Sequence, residues 1–157
     1  MTYFADVADR AEIPFYLNQI GVKPTQRQLE RQAHFDAARH TYCPDGYFEP
    51  DQMLNTVASM YHGSVKRGFA GARVSGEMSW ALRGIPGSER LIEYEARLNL
   101  ILPQAPTTAM CQYDARRFDG AVLFDVLSVH PMMVVHGQIV RNPAYRPPEE
   151  FLNQNRG

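Results

Sequence analysis

The sequence predicts an α/β layered domain built on a mostly parallel sheet. Three observations carry that reading. Short apolar runs of strand character alternate with longer segments of helical period along the whole chain. The separations between runs suit helical crossovers between parallel strands. A tight two-residue turn appears only near the C-terminus, at His136-Gly137.

Thr2–Ala5 is a short apolar strand. Val7–Ile20 reads as a helix bent near Pro14 and closed by Gly21. Thr25–Gln32 is a polar helical turn, and Phe35–Ala38 a short strand. The stretch TYCPDGYF follows as a turn-rich loop. Pro50–Lys66 is the clearest amphipathic helix, with Met53, Leu54, Val57, Met60, Tyr61 and Val65 on one side. Ala72–Gly76 is a buried strand. Ser88 caps a helix whose Leu91, Tyr94, Glu95, Leu98 and Leu102 share one side, with Pro103 ending it. Thr108–Tyr113 alternates, so Ala109, Cys111 and Tyr113 face one way. Asp119 caps a helix bearing Val122, Leu123, Val126 and Leu127, which His130-Pro131 ends. Met132–Val135 and Gln138–Val140 flank His136-Gly137 as a hairpin. Asn142-Pro143 and Pro147-Pro148 break the chain, and Glu149–Leu152 forms a last helical turn.

The 157 residues fit one domain, and no linker, repeat or low-complexity tract divides them. Hydrophobic content of 45% and charged content of 21% are those of a folded globular chain. A net charge of −1 gives no electrostatic pull toward nucleic acid or an anionic membrane. No apolar run is long enough to span a bilayer, and no signal peptide begins the chain. Two cysteines make no disulfide framework, which suggests a cytoplasmic setting with reduced thiols.

In open parallel sheets, ligands bind beyond the C-terminal strand ends, where the loops diverge. That rule selects the segments 6–9, 77–80 and 113–117. Glu77 and Asp114 would face one crevice, with Trp80 and Tyr113 as amphipathic walls. Each has a plainer role: carboxylates commonly cap turns, and a lone Trp is commonly core. Cys111 and His130 invite a nucleophile–base reading. Cys111 lies mid-strand among apolar neighbours, however, and His130 sits where a helix end wants a cation. Both therefore read as structural. His34, His40, Cys43 and His62 share one half of the chain, and His40-x2-Cys43 is a conceivable ligand pair. The spacing is too dispersed for a zinc motif, so no metal and no cofactor are expected. No phosphate-cradling G-x-x-x-x-G-K-[ST] or G-x-G-x-x-G occurs, which argues against an ATPase.

Five stretches in order, DGYFEPDQML, GEMSWAL, GSERLIEYEARLN, CQYDARRFDG and HPMMVVHGQIVRNPAYRPPEEFL, resemble the MEDS family of prokaryotic sensory domains. The resemblance runs from about Met1 to Leu152. It implies a three-layer fold similar to RecA and the circadian-clock ATPases, with a mostly parallel sheet and a C-terminal β-hairpin but no phosphate-binding loop. It also implies a non-enzymatic module of signal transduction and transcription regulation. Such a module would sense hydrocarbon derivatives, such as methylated or halogenated one-carbon compounds. Glu77, Met78, Trp80, Tyr113 and Asp114 would line the pocket for a small, largely apolar molecule. Against that family, Thr2–Asp6 looks like the second strand, so a preceding strand and helix are expected to be missing. The surface so uncovered would be buried by a homodimer or a partner signalling protein. A protein-interaction adaptor with a decayed pocket is the alternative, and a small-substrate enzyme the third.

Overall fold

The computed structural model describes residues 1–6 and 12–154. Four strands form one parallel sheet: β1 (Thr2–Ala5), β2 (His34–Ala37), β3 (Ala72–Glu77) and β4 (Thr107–Gln112). Their order is β2-β1-β3-β4, and every pairing is parallel. A separate antiparallel hairpin joins β5 (Met132–Val135) to β6 (Gln138–Arg141). The helices are α1 (Ile13–Gln19), α2 (Gln26–Gln32), α3 (Ala38–Tyr42), α4 (Pro50–Lys66), α5 (Leu91–Ile101), α6 (Gly120–Val129) and α7 (Pro148–Gln154). This is the α/β class expected, in keeping with a three-layer arrangement.

Side-chain alternation divides the sheet. Phe4, Val74, Gly76, Ala109 and Cys111 share the face packed by α4 and α5. Met53, Leu54 and Val57 of α4 and Leu91, Tyr94 and Leu98 of α5 close over it. An aromatic group completes this core. Trp80 stacks on Tyr42 at 5.0 Å between centroids and leans on Phe48 at 4.9 Å, while Phe48 meets Tyr94 edge-on at 5.6 Å. Each such pair adds roughly 0.5–1.5 kcal/mol beyond the area it buries. The opposite face carries Tyr3, Ser75, Glu77, Met110 and Gln112. There the Gln112 amide donates to the Ser75 hydroxyl at 2.7 Å.

Several expected boundaries shift, each for a local reason. The predicted helix over Val7–Ile20 is observed from Ile13 to Gln19, and residues 7–11 lie outside the described part. The loop expected after β2 winds into α3, because Ala38 and Tyr42 sit one turn apart and both reach the core. Ser88 is not a helix cap. Gly87 takes a left-handed φ of 86°, and the chain tightens into a 3-10 turn over Ser88–Arg90 before α5 begins. The turn bonds its own backbone, Ser88 N–H to Ile85 C=O and Arg90 N–H to Gly87 C=O, both at 3.0 Å. Asp119 does cap α6, its carboxylate accepting the Val122 N–H at 2.9 Å. His136 and Gly137 both take positive φ, 48° and 77°, as a twisted two-residue hairpin requires.

Candidate functional site

Glu77 closes β3 on the polar face of the sheet. Its carboxylate accepts the Tyr3 hydroxyl of β1 and the backbone N–H of Asp6 at 2.8 Å. The Asp6 carboxylate pairs in turn with Arg83 at 2.9 Å. Arg83 ends a 3-10 turn, Ser79–Arg83, that leaves β3. Two carboxylates and a guanidinium thus meet where two neighbouring parallel strands end. Burial pushes the Asp6 carboxyl above its ordinary range. Arg83 opposes that push and Glu77 adds to it. The Tyr3 hydroxyl is also pushed up, first by burial and then by Glu77.

The five residues expected to line one pocket occupy three surroundings. Glu77 belongs to the network just described. Met78 and Trp80 are drawn inward by the 3-10 turn and have no exposed surface. Trp80 is packed among aromatics, and its indole Nε1 has no hydrogen-bond partner among the described residues. Tyr113 turns to the core side and donates its hydroxyl to Glu95 Oε1 at 2.6 Å. Asp114 grips Arg116 through two contacts of 2.9 Å and accepts the Arg116 N–H at 3.0 Å. Those bonds hold its carboxyl down at about 2. Glu77 ends β3 and Asp114 follows the adjacent β4, and each is engaged by its own neighbours.

A second centre joins Cys111 and His130, paired in the sequence reading, to Glu95, which that reading leaves on its helical stripe. Glu95 of α5 lies in phase with Leu91, Tyr94 and Leu98 and is only 1% exposed. A carboxylate on an apolar helical stripe is the available signal, because burying a charge is costly unless it is paired. Its partners are Tyr113, the Cys111 thiol at 3.1 Å from Oε2, and the His130 ring at 3.6 Å from Oε2. Burial first, and Glu95 second, push the Cys111 thiol well above its ordinary value. Sulfur therefore keeps its proton at neutral pH, and the arrangement is not an activated nucleophile–base pair. Of the dispersed histidines and cysteines of the first half, His34 pairs with Asp36 at 2.8 Å, and Cys43 is buried, its thiol pushed up to about 11.

A third feature is a cleft of about 630 Å³ at the N-terminal strand ends. Leu17 of α1, Val22, Leu29 of α2, Phe35 of β2 and Phe69 line it on one side, and Lys23, Gln28, Gln32, Ser64, Arg67 and Arg73 add a polar, cationic part. Its volume lies in the range of small-molecule sites. No pattern in the sequence marks it, since it is assembled from five separate segments.

The chain falls in a recognised class of sensory domain. The family model described as MEDS, the MEthanogen/methylotroph, DcmR Sensory domain, matches residues 1–131, and the chain belongs to that family. Over 80 residues it is 31% identical to the transcriptional repressor DcmR of Methylorubrum extorquens (strain DSM 6343 / CIP 106787 / DM4). That match covers 50% of this chain and 30% of the repressor, so the matched part spans under a third of that relative's length. No solved structure matches. Among the described residues, no helix is long and apolar enough to cross a membrane.

Proposed function

We propose that this chain is a non-enzymatic sensory module of prokaryotic signal transduction that binds a small, largely apolar molecule. Membership of a sensory family supports the regulatory role. The cleft supports the proposed ligand class. Its apolar residues and 630 Å³ leave room for a small, largely apolar molecule, such as a hydrocarbon derivative, with Lys23, Arg67 and Arg73 near any polar group it carries. The strand-end crevice suits such a molecule less well. There Trp80 and Met78 have gone into the core, and the polar groups are occupied with one another.

Native mass spectrometry of the purified chain, with variants, tests this. Leu29→Trp fills the cleft, and Glu77→Gln alters the strand-end network. The expected result is a small molecule that co-purifies with the parent chain and with Glu77→Gln but is lost from Leu29→Trp. The reverse pattern would move the site to Glu77, Met78, Trp80, Tyr113 and Asp114.

One observation favours a second reading, the interaction adaptor. Phe124 on α6 and Val134 and Ile139 on the hairpin are 63%, 58% and 74% exposed. Apolar residues so placed suit a homodimer or a partner signalling protein. A dimer that never carries a small molecule would favour this reading.

A further inference from the structure

We propose that Glu95, Cys111 and His130 form a binding site for a borderline-soft divalent cation of the zinc class. One ligand atom from each lies within 4.8 Å of the other two. Glu95 Oε2 stands 3.1 Å from Cys111 Sγ and 3.6 Å from His130 Nε2. A tetrahedral zinc ion with bonds of about 2.0 Å to oxygen and nitrogen and about 2.3 Å to sulfur sets its ligand atoms roughly 3.3–3.6 Å apart. The two distances to Glu95 Oε2 lie within a few tenths of an ångström of those values, and Cys111 Sγ and His130 Nε2 close the set within 4.8 Å. Thiolate, imidazole and carboxylate together favour zinc over the hard cations calcium and magnesium.

The tautomer of His130 points the same way. Its Nδ1 lies 2.7 Å from the Val126 carbonyl oxygen. A carbonyl only accepts, so Nδ1 carries a hydrogen. In the neutral ring, Nε2 then aims a lone pair at a carboxylate oxygen. A proton or a metal ion between them resolves that clash, and a backbone carbonyl on the far ring nitrogen is the usual brace of a metal-bound histidine. Tyr113 holds the other carboxylate oxygen, Oε1, and so leaves Oε2 for the ion.

Access and rigidity also fit. The ligands come from α5, β4 and the end of α6, elements already packed together. The Glu95 side chain is fully enclosed, while that of His130 is 24% exposed and offers an entry route. On binding, the Cys111 thiol gives its proton to solvent and the thiolate bonds the ion. Three protein ligands leave a fourth position for water or another donor, as in reactive rather than purely structural zinc sites. This site stands apart from the cleft and does not depend on the cleft being occupied.

The test uses the full chain, stripped with a chelator and titrated with Co²⁺ as a spectroscopic probe, then with Zn²⁺ in competition. The expected result is one ion per chain, with a thiolate-to-cobalt charge-transfer band that zinc removes. Cys111→Ser should abolish the band, Cys43→Ser should keep it, and His130→Asn should weaken binding at least about tenfold. Circular dichroism checks that each variant folds, and His130→Asn decides the matter if Cys111→Ser does not. A stripped chain that takes up no ion overturns the site. So does a band that survives Cys111→Ser, or binding that is indifferent to His130→Asn.

Discussion

Cys43 and Cys111 are both held as thiols, Cys43 by burial and Cys111 by burial and the Glu95 carboxylate beside it. The Cys43 value of about 11, against an ordinary 9.0, cuts its thiolate fraction about a hundredfold at neutral pH. The push on Cys111 is stronger. In metal-free protein, an aromatic disulfide reagent should therefore label neither sulfur rapidly, and both only in denaturant. A fast phase in the native protein would contradict the packing around them. Asp6 shows the opposite bargain. Its folded value is raised, so it adds stability below the ordinary carboxylate value of 3.8 and loses that contribution as pH rises through the folded value. At neutral pH its charge is a cost that Arg83 only partly offsets, a pattern common at binding sites. Asp6→Asn should leave the melting temperature at neutral pH unchanged or raise it, and a fall of several degrees would refute the sign. Little of this is legible in the sequence. Glu95 is visible on its helical stripe, but the partners that explain it, Cys111, Tyr113 and His130, come from other elements, and only the fold brings them in.

At the scale of elements, legibility tracks the source of the order. Helix α4 is legible to the residue because its own period and its Pro50 start define it. The strands β1, β3 and β4 fall within a residue or two of their expected spans, since their inward positions alternate with polar ones between clear turns. Helix α3 and the 3-10 turns around Trp80 and Ser88 are not legible. They exist because Tyr42, Phe48, Trp80 and Tyr94 collect one another, a tertiary demand that overrides local preference. Gly87 is the hinge of that arrangement. Its φ is 86°, and a Cβ there would stand 2.1 Å from the Phe48 carbonyl oxygen. Backbone cannot yield as a side-chain tip can, so Gly87→Ala should cost roughly 2–4 kcal/mol. Gly76 faces a softer obstacle, the Tyr42 hydroxyl, which would lie 2.3 Å from an added methyl group. Gly76→Ala should unseat Tyr42 from its stack on Trp80 and change the tryptophan fluorescence. Urea denaturation of both variants checks the order, with Gly87→Ala the more damaging.

Across the whole molecule, α5 is the hub. It packs on α4, α6 and α7, and it carries Glu95 into the buried centre. Its outer face is tied to α4 by a ladder of charges. Arg90 bonds Glu49 of the α4 cap at 3.0 Å and Glu93 at 2.9 Å, while Arg97 bonds Glu93 at 2.9 Å and also Asp51. Single exposed pairs are worth about 0.2–1 kcal/mol, but Glu93 bridges two arginines, and networks exceed isolated pairs. Those bonds, with Arg90 foremost, hold the Glu93 carboxyl below its ordinary 4.5. A lowered folded value means stability that is present above 4.5 and lost as pH falls through the folded value. The melting temperature should therefore drop as the solution is acidified below about 4.5. Glu93→Gln should lose about 1 kcal/mol at neutral pH and show a shallower acid limb, the two curves converging at low pH. Added salt should narrow the difference at neutral pH, because the ladder is solvent-facing. Parallel acid limbs for parent and variant would show that the pairing of Glu93 with Arg90 and Arg97 adds nothing to stability.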